Sequence, residues 1–277
     1  MENNDLTVLM SVYKNDNPCD LKLALQSVID QSAKANEIIL IVDGPVSEEL
    51  MEEIRSVKKE SKIDIHVECL PENVGLASAL NFGLSLCQTK YVARMDSDDY
   101  SLPNRFEKQL SILNGDRGVD ICCSWQGEFE SDYSLFSRIK KSPESDAEIK
   151  KSLQYRNVIS HPTIMFRKKI VDSVGGYSKD CGLLEDWDLY LRLSAQGFQF
   201  YCIQVPLVNV RVSTEQYSRR GGAKYLFNEM KFKFHHVKMR QLDWKSFLIS
   251  LFPVIFFRLS PVFIKRYLYR FVRKNEN

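Results

Sequence analysis

The chain predicts a doubly wound α/β protein: a mostly parallel sheet with helices on both faces, followed by a helical basic tail. Three observations carry this. Strand-like apolar runs alternate with helical stripes through roughly the first 100 residues, the pattern of a parallel sheet. Right-handed crossovers then place helices on both faces of that sheet. A cluster of carboxylates, Asp96-Ser97-Asp98-Asp99, directly follows the strand-like run Tyr91–Met95. That is where open α/β sheets bind their ligands, beyond the carboxyl ends of the strands.

The elements follow in order. Leu6–Val12 reads as a buried strand, and Asn17-Pro18 opens a helix with the stripe Leu21, Leu25, Val28 and Ile29. Glu37–Val42 is a second buried strand ending at Asp43-Gly44-Pro45. Ser47 suits the N-cap of the next helix, which turns Leu50, Met51, Ile54 and Val57 inward. Ile63–Cys69 alternates strictly, as an edge or half-exposed strand does. A helix through Leu76, Leu80, Leu84 and Cys87 leads to the strand that delivers the acidic cluster. After Pro103 a helix runs through Phe106, Leu110 and Leu113, and Val119–Trp125 is a further strand. Residues 126–157 are polar and resist assignment. His161–Phe166 reads as a turn into a strand, and Gly175-Gly176-Tyr177 as a loop that needs backbone freedom. Leu183–Ala195 is a helix with Leu184, Trp187 and Leu191 on one face, and Phe198–Val212 is strand-like.

Bulk properties narrow the class. At 277 residues, 44% hydrophobic and 27% charged, the chain is an ordinary globular protein with room for a sizeable core. Its seven cysteines are scattered, odd in number and form no Cys-x-x-Cys pair. With no signal peptide at Met1–Asp5, this implies reduced thiols and a cytoplasmic protein, the cysteines serving as small apolar fillers. There is no Gly-x-Gly-x-x-Gly and no P-loop, which argues against dinucleotide cofactors and P-loop ATP hydrolysis. Charge is unevenly placed: residues 217–277 hold 14 Lys/Arg against 3 Asp/Glu, the rest 24 against 33. A basic tail on an acidic body suits an anionic surface.

Three carboxylates in four positions repel one another unless a cation neutralises them. Hard cations such as Mg²⁺ or Mn²⁺ take oxygen ligands and bridge to phosphate, so the cluster reads as a metal site for a nucleotide diphosphate. A solvated acidic turn is the plain alternative. An EF-hand fits poorly, since its sixth position wants Gly and here is Ser101. Asp43 is either a strand-end turn residue beside Gly44 or an acceptor for a base N–H. Tyr13, just past the first strand, either meets the base or is a surface aromatic. Arg94 either offsets phosphate charge or forms a strand-face ion pair. Glu185-Asp186 opens a helix, where the dipole favours carboxylates by roughly 0.3–1 kcal/mol. The same place keeps Asp186 ionised, as a general base must be. His161, held extended by Pro162, either touches a substrate or is a satisfied buried histidine. His235-His236 lacks metal-ligand spacing.

In order along the chain stand Asp43, Glu72-Asn73-Val74-Gly75-Leu76-Ala77 with Asn81, and Ala93-Arg94-Met95-Asp96-Ser97-Asp98-Asp99. Pro103-x-Arg105 with Gln109, His161-Pro162-Thr163, Gly175-Gly176-Tyr177 and Glu185-Asp186-Trp187-Asp188-Leu189 follow. The ordered set closely resembles glycosyltransferase family 2, with its GT-A fold, and looks most like bacterial enzymes of O-antigen and exopolysaccharide assembly. The resemblance covers roughly residues 5–215. It implies a GT-A catalytic domain over 1–215, with about 1–105 binding a nucleotide sugar and 106–215 the acceptor, and a basic amphipathic tail over 216–277. It implies inverting transfer of one hexose from a UDP-sugar, with Mn²⁺ or Mg²⁺, to an isoprenoid-diphosphate-linked saccharide. Tyr13, Asp43, Asn73, Gly75, Arg94 and Asp96 would meet the donor, and Asp98 with Asp96 the metal. Asp186 would be the base, Glu185 its orienting neighbour, and His161, Gly176 and Trp187 would line the acceptor side.

Two departures stand out. Ala79-Leu80-Asn81 replaces the family's frequent Ala-Arg-Asn, and Arg211-Val212-Ser213 its frequent Arg-x-His. The processive Gln-x-x-Arg-Trp signature is absent, which favours single-sugar addition. In the tail, Phe247–Phe257 is an apolar run broken by Ser250 and Pro253, too short for a membrane-spanning helix of about 20 residues. Beyond it Val262, Phe263, Ile264, Tyr267, Leu268, Phe271 and Val272 alternate with Lys265, Arg266, Arg270, Arg273 and Lys274. That pattern fits a helix lying in a membrane interface, or a helical pair packed on the body or a second subunit. Long aliphatics among the basic residues favour a membrane over nucleic acid. A cytoplasmic protein peripheral to the inner face of the plasma membrane is the expectation. The rival readings are a nucleotidyltransferase and a non-catalytic nucleotide-sugar binder. Ser11–Asp20 has no Gly and only Lys14, unlike the Gly-rich basic loop a nucleotidyltransferase wants.

Overall fold

The computed structural model describes residues 5–212 and 222–259. It divides into two compact units, Met1–Val212 and Ser213–Asn277.

The first unit is built on β1 (Leu6–Val12), α1 (Pro18–Ile29), β2 (Glu37–Val42), α2 (Glu48–Glu60), β3 (Asp64–Cys69), α3 (Leu76–Leu86) and β4 (Tyr91–Met95). Strands β3-β2-β1-β4 lie side by side and all parallel, so every carboxyl end falls on one edge. The second half adds β5 (Tyr100–Ser101), α4 (Arg105–Asn114), β6 (Ile121–Phe129), β7 (Arg138–Lys140) and α5 (Asp146–Leu153). It ends with β8 (Met165–Arg167), α6 (Lys168–Ser173), α7 (Glu185–Ala195) and β9 (Phe200–Arg211). The sheet continues β4-β8-β6-β9-β5, with β7 on β6; β8 runs antiparallel to β4 and β6, while the long pair β6 and β9 is parallel.

Local signals set these elements as expected. The Asn17 side chain caps α1 through the amides of Cys19 and Asp20, and Ser47 caps α2 through Leu50 N. Leu6, Val8, Met10 and Val12 of β1, with Ile38, Leu40 and Val42 of β2, face α1, α2 and α4 in one buried cluster. Leu9 and Ile41 point the other way, against Gly83 of α3, where any Cβ would strike the Leu9 side chain. Helices therefore cover both faces. β3 is the edge strand and half exposed, as its alternation implies.

The stretch left unassigned in the sequence contains the end of β6, β7 and α5. β6 runs to Phe129, past the expected end at Trp125. All seven cysteines are free thiols, and Cys87, Cys122, Cys123 and Cys202 are core fillers.

The second unit contains α8 (Gly222–Lys238) and α9 (Trp244–Leu259). Lys233 is buried there, donating to the Ser250 hydroxyl. Phe227, Phe234, Trp244, Leu248 and Ile249 are exposed. No helix among the described residues is long and apolar enough to cross a membrane. The basic run 262–274 lies outside the described residues.

Candidate active site

Three parallel strands deliver the site. β1 ends at Tyr13, β2 at Asp43 and β4 at Asp96, and the registers Val12↔Val42 and Met10↔Met95 place them on one edge. β8 runs antiparallel to β4, so the turn His161–Thr163 before it returns to that edge.

Each side chain of the acidic turn has its own fate. Asp96 forms an ion pair with Arg94, which is almost wholly buried. Burial opposes the Arg94 charge, but the Asp96 carboxylate outweighs it and holds the guanidinium above its usual range. Ser97 donates to Asp16 Oδ2 at 2.8 Å, and the same oxygen accepts from Tyr13 N at 3.0 Å. Asp99 is buried and accepts from Arg211 N at 2.9 Å. Arg211 also reaches the Asp98 carbonyl and pairs with Asp20 at 2.6 Å. Asp98 is the exception, for its carboxylate makes no hydrogen bond or ion pair among the described residues. Burial, then the charges of Asp96 and Asp16, push it up to about 7. Burial pushes Asp99 well up as well.

Asp96, Asp98 and Asp99 bring ligand oxygens within 4.8 Å of one another. An all-carboxylate set, one member of it unpartnered and raised by its neighbours, fits a hard divalent cation.

Asp43, Asn73 and Gly75 form a single unit. The Asp43 carboxylate accepts from Val74 N at 2.7 Å, Gly75 N at 3.0 Å and Asn73 Nδ2 at 3.0 Å. Gly44, with φ +85°, permits the approach, since a Cβ there would lie 2.5 Å from Asn73 N. Asp43 thus closes the loop before α3 as well as ending β2.

Arg105 and Gln109, polar residues on α4, are fully buried beneath the turn. Arg105 Nη2 donates to the carbonyls of Arg94 (2.8 Å) and Ile164 (3.2 Å), and Gln109 Nε2 to Thr163 (2.7 Å). They brace β4 against the His161 turn and face no ligand. Burial, then the Arg94 charge, lowers Arg105 to about 9, so it stays charged at neutral pH.

On the other side, His161 is buried with Nε2 2.9 Å from the Tyr177 hydroxyl. Burial and the Arg94 charge hold the imidazole well below its usual range, hence neutral. Asn81 grips the Tyr177 backbone twice, at 2.8 and 2.7 Å. Gly176 is needed there because a Cβ would collide with the Asn81 amide. Burial raises the Tyr177 hydroxyl, on which the charges of Arg94, Asp186, Glu185 and Asp96 also act.

Glu185 is buried and Asp186 half-buried at the start of α7. Asp186 accepts from Trp187 N and from Asn157 Nδ2, both at 2.7 Å. Trp187 itself turns inward: it is buried, and its indole donates to Leu153 O at 3.0 Å. That bond ties α7 to α5. Asp16, Asn157, Tyr177 and Arg211 were not singled out as site residues in the sequence. Tyr177 and Arg211 stood in motifs of the resemblance, whereas nothing in the sequence marked Asp16 or Asn157.

The family model for glycosyl transferase family 2 matches residues 7–175. The chain is 37% identical over 264 residues to the UDP-Gal:alpha-D-GlcNAc-diphosphoundecaprenol beta-1,3-galactosyltransferase of Escherichia coli, covering 95% of this chain and 94% of that protein. It is 31% identical over 268 residues to the amylovoran biosynthesis glycosyltransferase AmsE of Erwinia amylovora, covering 97% and 99%. In fold it is similar to S. aureus TarS 1-349 in complex with UDP-GlcNAc, with TM-score 0.67 and 13% identity over 91% of this chain and 72% of that one. The mannosyltransferase PcManGT of Pyrobaculum calidifontis, in complex with GDP-Man and Mn2+, matches at TM-score 0.62 and 13% identity over 92% and 70%. The architecture is the GT-A fold, and the chain belongs to glycosyltransferase family 2.

Proposed function

We propose that this protein transfers one hexose from a UDP-sugar to a lipid-linked saccharide, with inversion, in surface polysaccharide synthesis. The observation that carries the reading is the half-buried Asp98 carboxylate at the strand ends, which has no partner among the described residues, in a turn where Asp96, Ser97 and Asp99 each have one. Asp98 and Asp96 would hold Mn²⁺ or Mg²⁺, which supplies neutralisation of the diphosphate. Asp43 uses three of about four acceptor positions on its own loop, leaving one for a uracil N–H. Tyr13 and Asn73 border that base site, and Arg94 orients Asp96 through its ion pair.

Asp186 takes the proton of the acceptor hydroxyl. The hydroxyl oxygen bonds to the anomeric carbon as the bond to the UDP oxygen breaks, and UDP departs. One in-line displacement turns an α-linked UDP-hexose into a β-glycoside. Glu185, His161 and Gly176 border the acceptor. The Escherichia coli relative supports UDP-galactose as donor and a diphosphoundecaprenol-linked N-acetylglucosamine as acceptor. Such an acceptor suits a cytoplasmic protein on the inner membrane face, and the exposed aromatic and aliphatic side chains of α8 and α9 support membrane contact through the tail.

The test is calorimetry with UDP, UDP-glucose, UDP-galactose, UDP-N-acetylglucosamine and GDP-mannose, with and without Mn²⁺. Metal-dependent binding of one UDP-hexose, with transfer to N-acetylglucosamine-diphospho-lipid, is expected. Binding that ignores Mn²⁺, or a preference for GDP-mannose, would overturn the assignment.

A further inference from the structure

We infer that Asn157 is a positioning residue for the base, orienting the Asp186 carboxylate and lowering its affinity for a proton. The inference rests on the reading of Asp186 as base.

The amide orientation is fixed by chemistry. Ile159 N–H can only donate, and it donates to Asn157 Oδ1 at 3.0 Å. The other amide atom is therefore nitrogen, and it faces Asp186 Oδ2 at 2.7 Å. A hydrogen bond to a charged acceptor is short and stabilises the charged form.

The segment that carries Asn157 is held rigidly. Ser142 Oγ donates to Val158 O at 2.6 Å, and Ser160 Oγ bonds to Gln126. Val158, Ile159 and Ser160 are buried, whereas Asn157 is only half-buried. The same stretch grips α7 a second time, through the Trp187 indole on Leu153 O. Two side-chain contacts of the first turn of α7 thus come from residues 153–157, and one of them holds Asp186 Oδ2. Glu185 stands beside Asp186 on α7, and the Asp186 charge acts on Tyr177 and Tyr190, as the Arg94 charge also does. The Asn157 amide is a neutral side-chain donor that favours the ionised carboxylate.

Two variants separate orientation from folding. Asn157→Leu loses both bonds. Asn157→Asp keeps the oxygen that accepts from Ile159 N–H but sets a second carboxylate against Asp186. The Asp186 carboxyl is titrated by carbon-detected NMR in the full chain with Mg²⁺ and UDP, assigned by Asp186→Asn. The Asp186 pKa should rise by about half a unit in Asn157→Leu and about one unit or more in Asn157→Asp. The acid limb of kcat/KM for UDP release from UDP-galactose, with N-acetylglucosamine-diphospho-lipid as acceptor, should move up with it while UDP affinity holds within about twofold. An unchanged Asp186 titration in both variants overturns the inference. Failure of the underlying reading looks different: Asp186→Asn would turn over normally although the pKa shifts appear.

Discussion

Asp98 occupies a position where a bare carboxylate is costly. Asp96, Asp98 and Asp99 crowd together, and only Asp96 and Asp99 have partners. With its pKa pushed up to about 7 from 3.8, the folded protein binds more protons than the unfolded chain between those values. The Asp98 contribution to stability without a cation therefore falls as pH rises from about 4 to about 7. A cation bound at Asp98, as proposed, would reverse the preference, because it must displace that proton. Below pH 7, Mn²⁺ affinity should weaken by close to tenfold per pH unit, and the thermal stabilisation given by Mn²⁺ should grow from pH 5.5 to 8. Asp98→Asn should remove both the metal stabilisation and most of the pH slope. A Mn²⁺ effect that is flat in pH, or that survives Asp98→Asn, would show that the cation sits elsewhere. Other residues settle differently at this scale. His161 is a buried neutral imidazole on the Tyr177 hydroxyl, and Arg94 pairs with Asp96 of the acidic turn.

At the scale of elements, the loop before α3 is seated by Asp43 and admitted by Gly44. Gly44 and Gly197 have nearly equal φ, +85° and +83°, but only Gly44 has backbone within reach of a Cβ. Ala at Gly197 should cost only the left-handed strain, of order 1 kcal/mol. Ala at Gly44 should cost about 1–3 kcal/mol and also weaken UDP binding, as the Asn73–Gly75 loop is pushed off Asp43. Denaturant midpoints and UDP titration check this, and equal costs with unchanged UDP affinity would count against it. The long periodic elements were legible in the sequence because burial and period coincide in them: β1, β2 and α1–α4 lie where their apolar stripes imply. β7 and α5 were not legible. A strand of three residues is defined by its partner β6, which no local pattern reveals. Asn157 was missed for the same reason, since its bond to Asp186 joins residues 29 apart. Arg105 and Gln109 stood in the sequence only as members of the family's motif set; they are buried because carbonyls of β4 and the His161 turn need donors.

For the whole molecule, the main apolar cluster draws its buried members from Leu6 to Val208, all within the first unit. The second unit is opposite in charge to the body: residues 217–277 carry 14 Lys/Arg and 3 Asp/Glu. Its exposed Phe227, Phe234, Trp244, Leu248 and Ile249 join aromatic and aliphatic surface to that basic charge. Basic residues near an anionic bilayer gain roughly 1 kcal/mol each, and that gain is screened within about 8–10 Å in physiological salt. Apolar insertion is not screened in this way. The two contributions can therefore be separated by sedimentation with lipid vesicles. The full chain should co-sediment with phosphatidylglycerol vesicles, more weakly with phosphatidylcholine, and should be partly released by 0.5 M salt. A chain ending at Val212 should stay in the supernatant with both lipids while still binding UDP in Mn²⁺. Equal sedimentation of the two chains would move membrane contact to the catalytic unit, and loss of UDP binding in the shorter chain would mean that the second unit supports the donor site.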